Sequence, residues 1–194
     1  MKKLLACFII FLVFNDTVRA QNKLKIPFGD GDIFVQQYAT NIYKLTFQSS
    51  YYNTNENISD AVILKPLALL NKALINNGDT SLSFDKTKKA ELSYLVLNKA
   101  YRALQFSLTA DEKIFGGGER ALPLNRRGYK FNLYNNPSYG YSEGADNLNY
   151  SVPFFTSNKG YGLFFDNPSK GYADIGKTNS NIFEVGFTSG EINV

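Results

Sequence analysis

The amino-acid sequence predicts an all-β protein that folds as one sandwich or barrel. Phe and Tyr, which favour strands, are abundant, with 16 and 13 copies among 194 residues. Short apolar runs recur at roughly ten-residue spacing between Gly, Asn and Ser, as in sandwiches and barrels. In residues 41–50, Tyr43, Leu45 and Phe47 alternate with polar residues, which indicates a strand with one buried face. No linker or internal repeat divides the chain, so residues 21–194 are expected to form one domain.

The other strand candidates follow in chain order. Residues 30–39 have the pattern expected of a hairpin partner for residues 41–50. The Asn-rich segment 51–60 is expected to be a loop. Further strands are predicted at 81–84, 91–97, 102–109, 129–134, 152–157, 161–166 and 182–189.

Two segments need separate comment. Residues 66–76 place leucines at helical spacing behind a proline, which fits either a short helix or a loop between strands. The last residues, 183–194, resemble a strand pair joined by a turn. A sheet that ends there would leave an unpaired, exposed edge, so we expect the sandwich to be incomplete at this C-terminal edge and the chain to be a fragment.

Residues 1–20 have the features of a cleavable secretory signal peptide. Two lysines precede a short apolar core, and Val18 and Ala20 place compact residues at the −3 and −1 positions of a cleavage site. The apolar run is short for a membrane span, and no other segment approaches the required length. Lipidation of Cys7 is an alternative, but only Met1 to Lys3 would then precede the lipidation box. The sequence therefore predicts a secreted or periplasmic protein, cleaved after Ala20, without a stable membrane span.

The composition excludes several kinds of site. Cys7 is the only cysteine, and the chain has no His and no Trp. After cleavage, a disulfide, a Cys or His nucleophile and a Cys/His zinc site are all impossible. No cofactor and no metal site are predicted, and any chemistry would use carboxylates, Tyr, Lys or Arg. The net charge of +4 comes from scattered basic residues, so nucleic-acid binding is not expected.

The densest stretch of the sequence is residues 114–141, in which Gly116 to Gly118 lead directly into Glu119. The spacing fits neither a phosphate loop nor a dinucleotide fingerprint, so the glycines are expected to form a strand end or bulge. Glu119 is a candidate catalytic acid, but a glycosidase needs a second carboxylate about 5–10 Å away. The spacing selects no partner among Asp111, Glu112, Glu143, Asp146 and Asp166. The preferred interpretation is that Glu119 pairs with a nearby arginine or caps the glycine turn.

Residues 134–141, named the tyrosine loop below, have a different character. Asn135, Asn136, Tyr139 and Tyr141 supply amide and phenol groups on an expected loop. Such groups hydrogen-bond sugar hydroxyls and stack on a sugar ring, so these four residues are the candidates for substrate binding. The alternative is an ordinary turn-rich loop whose tyrosines pack on the sandwich.

Several motifs in order resemble the N-terminal domain of glycoside hydrolase family 31, which includes α-glucosidases, α-xylosidases and 4-α-glucosyltransferases. The resemblance covers roughly residues 33–194. The motifs are SDAVILKP at 59–66, FGGGER at 115–120, LNRRG at 124–128, LYNNPSYGY at 133–141, LNYSVPFF at 148–155 and YGLFFDNPSKGYADIG at 161–176.

The resemblance implies a galactose-mutarotase-like β-sandwich. In the family, catalysis belongs to a following (β/α)₈ barrel that carries an Asp nucleophile and an Asp acid/base, so no catalytic residue is expected in this chain. The tyrosine loop would reach over the barrel pocket, and Glu119 would be scaffold. One departure is Pro137, at the position where relatives often place an acid. A charged contact to the sugar is therefore in doubt.

Three functional hypotheses follow from the sequence. The main one is the pocket-shaping N-terminal domain of a secreted enzyme that hydrolyses or transfers α-linked glucose, with the missing barrel and α-linked glucosides or oligosaccharides as partners. The second is a free-standing carbohydrate-binding module, which the lack of Trp argues against. The third is a structural or degenerate product of a truncated gene.

Overall fold

The computed structural model describes residues 23–28, 31–39, 41–49, 65, 67, 75–77, 82–84, 90–98, 101–137, 139–146 and 148–194. All regular structure in these ranges is β-strand. The strands are β1 (Lys23–Phe28), β2 (Gly31–Ala39), β3 (Ile42–Ser49), β4 (Ile75–Asn77), β5 (Leu82–Phe84), β6 (Ala90–Asn98), β7 (Tyr101–Ser107), β8 (Ile114–Gly116), β9 (Tyr129–Leu133), β10 (Phe154–Ser157), β11 (Gly162–Phe164), β12 (Gly171–Ile175), β13 (Ile182–Phe187) and β14 (Ile192–Asn193).

The described strands form three antiparallel sheets. One has the order β1-β2-β3-β14, a second has β11-β10-β8, and the largest has β4-β5-β6-β7-β13-β12-β9. Every strand candidate from the sequence overlaps one of these strands, and the hairpin between residues 30–39 and 41–50 is confirmed as β2 and β3. The all-β prediction is therefore confirmed for the described residues.

One core joins the three sheets. It takes Ile33 and Val35 from β2, Phe155 from β10 and Phe183 from β13, all at most 1% exposed. The Phe155 and Phe183 rings meet edge to face with centroids 5.0 Å apart, which adds a directional contact to the burial of both rings. Alternate residues of each strand point to this core and cannot contact a ligand. A binding site must therefore use the opposite faces of the strands or the connecting loops.

The end of the chain differs from its expected arrangement. β13 and β14 are not a hairpin: β13 lies between β7 and β12, whereas β14 pairs with β3 in another sheet. The Val194 and Leu45 backbones exchange two hydrogen bonds of 2.8 and 2.9 Å, and the N–H of Asp166 donates to the Asn193 carbonyl at 2.9 Å. β14 is therefore bonded on both of its sides.

Some expectations from the sequence fall on residues that are not described. The signal peptide at 1–20, with Cys7, and the loop at 51–60 lie outside the described ranges. The same holds for most of segment 66–76, although its last residues belong to β4 and are strand. Among the described residues, no helix is long and apolar enough to cross a membrane.

Candidate functional site

The three glycines at the end of β8 form a tight backbone turn, as the sequence predicted. Gly116, Gly117 and Gly118 have φ angles of +109°, +86° and +89°, in the region that favours glycine. A Cβ at Gly116 would lie 2.2 Å from the Phe154 carbonyl oxygen, and one at Gly118 would lie 2.6 Å from the Val152 nitrogen. The glycines therefore let the segment leading into β10 lie directly on the turn.

Glu119 anchors this turn. Its backbone N–H donates to the Tyr150 carbonyl at 3.0 Å, and its Oε2 accepts a 3.1 Å hydrogen bond from the Asn149 N–H. The carboxylate thus holds a neighbouring backbone segment rather than the side chain of an arginine. This agrees with the scaffold role that the resemblance implied for Glu119.

Arg120 is buried and fastens the same two segments to β9. Its guanidinium lies 4.9 Å from the Phe131 ring centroid, and burial, followed by the positive charge of Arg126, lowers the pKa of Arg120 to about 10. Its two terminal nitrogens donate to four acceptors. These are the carbonyl oxygens of Glu119 (2.6 Å), Asn132 (2.7 Å) and Tyr150 (3.2 Å) and the Oγ of Ser151 (2.8 Å).

The next two arginines also bind backbone. Arg126 donates to the carbonyl oxygens of Gly116 (3.1 Å), Leu122 (2.7 Å) and Pro123 (2.9 Å). Arg127 donates to those of Thr109 (2.5 Å), Glu112 (3.0 Å) and Ser180 (2.7 Å). Guanidinium groups engaged in this way are not presented to an anionic ligand, so the stretch holds loops together rather than a phosphate.

Two of the acids that the sequence offered as partners of Glu119 have structural roles. Glu112 is 2% exposed, and its carboxylate accepts hydrogen bonds from the Ser157 and Tyr161 hydroxyls at 2.5 Å each. The Asp111 Oδ2 lies 2.6 Å from the Lys159 Nζ. The hydrogen bond from Lys159 lowers the pKa of Asp111 most, and the hydrogen bond from Thr109 lowers it further. Neither acid is arranged as a catalytic partner for Glu119.

The remaining candidate acids are Glu143, Asp146 and Asp166; the first two are exposed and the third is half-buried. Within the described part of the chain, no three acids, cysteines or histidines come together in a group that could hold a metal ion.

The tyrosine loop follows β9, whose last residue, Leu133, pairs with Gly171 at the start of β12. It is described except at residue 138 and contains no strand. Tyr139 is fully exposed and Tyr141 is 64% exposed. The expected loop is therefore present, and these two tyrosines do not pack on the sandwich.

The four candidate residues divide into two groups. Asn135 is exposed, but its Oδ1 accepts a 2.6 Å hydrogen bond from the backbone N–H of Ser151. The side chains of Asn136, Tyr139 and Tyr141 are exposed and bind no residue of the described ranges. Asn135 thus fastens the loop, whereas the other three face solvent.

Ser151 is the residue that organises the base of the loop. Its Oγ donates to the Tyr134 carbonyl at 3.2 Å and accepts the Tyr134 N–H at 3.1 Å. The same Oγ accepts a hydrogen bond from Arg120. Lys170 adds a cation 5.5 Å from the Tyr134 ring centroid. Arg120 and Ser151 stand inside the FGGGER and LNYSVPFF motifs, but nothing in their local pattern predicted these contacts.

Comparison with known proteins decides the family. A sequence model described as the glycosyl hydrolase 31 N-terminal galactose mutarotase-like domain matches residues 11–174. The chain belongs to this family. An α-xylosidase of Emericella nidulans is 33% identical over 86 residues, which are 43% of this chain and 11% of that protein. An α-glucosidase of Saccharolobus solfataricus is 32% identical over 91 residues, 45% of this chain and 13% of that protein.

Solved structures of glycoside hydrolase family 31 share the fold. A dextranase of Flavobacterium johnsoniae, solved with glucose, superposes with a TM-score of 0.69 at 22% identity over 89% of this chain and 24% of its own. A xylosidase from Aspergillus niger gives a TM-score of 0.55 at 16% identity, over 89% of this chain and 29% of its own. The β-sandwich expected for the family 31 N-terminal domain is thus confirmed. The chain spans only 11–13% of the curated relatives named above.

Proposed function

We propose that this chain is the pocket-shaping N-terminal domain of a secreted family 31 enzyme that acts on α-linked glucosides or oligosaccharides. The observation that carries the proposal is the tyrosine loop, which presents Tyr139 and Tyr141 to solvent from a base fixed by Asn135, Ser151 and Arg120. Exposed phenol rings on a preorganised loop suit contact with a sugar that is held elsewhere.

The chemistry itself belongs to a following catalytic barrel in this proposal. The barrel would supply an Asp nucleophile and an Asp acid/base for a retaining, double-displacement reaction. The described acids support this division, because Glu112 and Glu119 hold loops and Asp111 pairs with a lysine. Residues 1–20 would direct export, so the enzyme would work outside the cytoplasm.

The first experiment sequences the gene beyond the codon for Val194. It then assays the polypeptide encoded by the whole gene for turnover of α-glucosides. We expect turnover of α-glucosides by the longer polypeptide and none by the 194-residue chain. Tyr139→Ala in the longer polypeptide should lower kcat/KM about tenfold, which is about 1.4 kcal/mol of transition-state binding. Leu124→Ala is the matched control, because Leu124 is also an exposed apolar side chain, at 80%, outside the tyrosine loop.

Two results would overturn the proposal. One is turnover by the 194-residue chain that Glu119→Gln abolishes, because the chemistry would then lie in this domain. The other is a longer polypeptide without activity on α-glucosides. Measurable sugar affinity of the 194-residue chain, lost in Tyr139→Ala, would instead favour the free-standing carbohydrate-binding module.

A further inference from the structure

A second polar surface lies at the end of the largest sheet, where the tyrosine loop begins. Tyr134 is the first residue after β9 and Lys170 is the last residue before β12, and these two strands pair with each other. Because alternate residues of a strand share a face, Asn132 lies on the same side as Tyr134, opposite the buried Phe131 and Leu133. We name Asn132, Tyr134 and Lys170 the lysine patch. All three residues are exposed.

The backbone on both sides of the lysine patch is fixed. The N–H and the carbonyl of Tyr134 both bind the Ser151 Oγ. The Lys170 carbonyl accepts hydrogen bonds from the Thr188 N–H at 2.9 Å and from the Thr188 Oγ1 at 3.0 Å. The Lys170 Nζ lies 5.5 Å from the Tyr134 ring centroid. A site whose parts are already in place loses little conformational entropy when a ligand binds.

Lys170 places an unpaired positive charge in the patch. Its ammonium forms no ion pair within the described part of the chain. Of the two acids nearest to it in sequence, Asp174 pairs with Lys130, and Asp166 forms no ion pair with Lys170. The tyrosine loop, residues 134–141, has no charged side chain. The charge of Lys170 is therefore available to attract an anionic group.

The chemistry of the lysine patch selects an anionic sugar. The Asn132 side chain binds no residue of the described ranges, so its amide is available to the hydroxyls of a sugar. The phenol of Tyr134, which is 52% exposed, offers a ring face and a polar tip. The Lys170 ammonium suits a carboxylate or a sulfate ester. A nucleic acid is a poorer match, because its affinity depends on many cations that neutralise phosphates.

We propose that the lysine patch binds a sugar unit that carries a carboxylate or a sulfate ester. The site uses neither Tyr139 nor Tyr141 and needs no residue beyond Val194. It therefore goes beyond the proposed function, and the 194-residue chain is sufficient to test it.

The test is a titration of small sugars into the 194-residue chain, followed by the amide NMR signals of Asn132, Tyr134 and Lys170. The sugars are methyl α-glucuronoside, methyl α-glucoside 6-sulfate and methyl α-glucoside, which differ in the group at C6. We expect at least one of the two anionic sugars to bind at least about threefold more tightly than the neutral sugar, as one exposed ion pair allows. The tighter of the two identifies the preferred anionic group.

Substitutions of lysine test whether the charge of Lys170 causes this preference. Lys170→Met keeps the length of the side chain and should reduce the affinity for the anionic sugars to that for the neutral sugar. Lys170→Arg keeps the charge and should retain the preference. Lys177→Met is the matched control, because Lys177 is an exposed lysine in the turn after β12, at the other end of that strand. It should leave all three affinities unchanged.

Several results would overturn the proposal. Equal affinity for the neutral sugar and both anionic sugars is one, and a preference that survives Lys170→Met is another. If inorganic sulfate binds as tightly as the sugar sulfate, the patch holds an adventitious ion only. Sugar affinity that Tyr139→Ala abolishes and Lys170→Met leaves intact would place the binding on the tyrosine loop. Turnover of α-glucosides by the longer polypeptide tests the proposed function separately.

Discussion

The Oδ1 of Asn135 accepts a 2.6 Å hydrogen bond from the backbone N–H of Ser151, which lies 16 positions further along the chain. This bond joins the tyrosine loop to the segment that leads into β10. Because Arg120 also donates to the Ser151 Oγ, the loop, the glycine turn and β10 share one junction. The position of the exposed tyrosines therefore depends on the residues that fix the base of the loop.

Removal of the Asn135 side chain should loosen the loop without unfolding the sandwich. We expect Asn135→Ala to cost about 0.5–1.5 kcal/mol of unfolding free energy, as for one hydrogen bond, and to speed hydrogen exchange at the Ser151 amide. Asn135→Asp keeps an acceptor at the same place and should retain protection of that amide. Unchanged exchange in Asn135→Ala would show that the bond does not hold the loop.

The glycine turn predicts a difference between two substitutions at nearly identical φ angles. Gly118 and Gly144 have φ of +89° and +90°, but a Cβ at Gly118 meets the Val152 nitrogen at 2.6 Å, whereas a Cβ at Gly144 meets nothing within 4 Å. Gly144→Ala should therefore cost only the backbone strain, about 1–2 kcal/mol. Gly118→Ala should cost at least about 2 kcal/mol more, because backbone must move.

Urea unfolding of both glycine variants checks this prediction through their midpoints. Equal losses of stability would show that the segment before β10 does not lie on the turn as closely as the structure places it.

The parts of the fold that local pattern predicted are those with one buried face. β3 alternates along the sequence, and β2, its neighbour in chain and space, completed the hairpin. β12 was missed because every residue in it is buried, including Tyr172 and Asp174 on the face opposite the core, so no alternation remains to be seen. The pairing of β14 with β3 brings Ile192 beside Phe47, and no local signal carries so distant a contact.

The candidate site was also predictable from the sequence only in part. The loop was predictable, because Asn, Pro and Gly indicate a loop and the family motifs include it, whereas the sequence left open whether its tyrosines pack on the sandwich. The role of Arg120 was not predictable, since its acceptors are mainly backbone carbonyls, including those of Asn132 and Tyr150, that only the folded chain brings together. The sequence spacing already argued against a phosphate loop in this stretch, but only the structure shows that Arg120 binds the protein's own backbone.

The partly buried phenol of Tyr161 predicts loss of stability in alkali. Burial raises the pKa of Tyr161, and its hydrogen bond to Glu112 raises that pKa further. The folded state thus favours the protonated phenol, so its contribution is complete below the ordinary tyrosine pKa of about 10 and is lost as the pH rises above it. Tyr161→Phe should cost about 1–2 kcal/mol at neutral pH and weaken the alkaline loss.

Urea unfolding between neutral pH and about pH 11 measures both effects of the Tyr161 substitution. Tyr139→Phe is the matched control, because its hydroxyl is exposed, and it should match the unsubstituted chain at every pH. If Tyr161→Phe loses as much unfolding free energy in alkali as the unsubstituted chain does, a group other than Tyr161 causes that loss.

Asp174 predicts the opposite dependence, in acid. Burial alone would raise its pKa, but hydrogen bonds from Thr178 and the ammonium of Lys130 at 3.2 Å outweigh burial and lower the pKa of Asp174 below its ordinary value of 3.8. A lowered pKa means that the carboxylate stabilises the fold above that ordinary value and that this stability is lost as the pH falls. Asp174→Asn keeps the shape of the side chain and removes the charge. It should cost about 1–2 kcal/mol at neutral pH and flatten the fall in unfolding free energy between about pH 5 and pH 3.

The control for Asp174→Asn is Glu143→Gln, because Glu143 is an exposed acid that no hydrogen bond or ion pair joins to the described residues. That substitution should leave the acid limb of the stability curve as it is. Urea unfolding at several pH values decides between the two acids. If Asp174→Asn falls as steeply in acid as the unsubstituted chain, the hydrogen bonds from Thr178 and the ion pair with Lys130 do not favour the ionised form of Asp174, and the turn after β12 is held by its backbone alone.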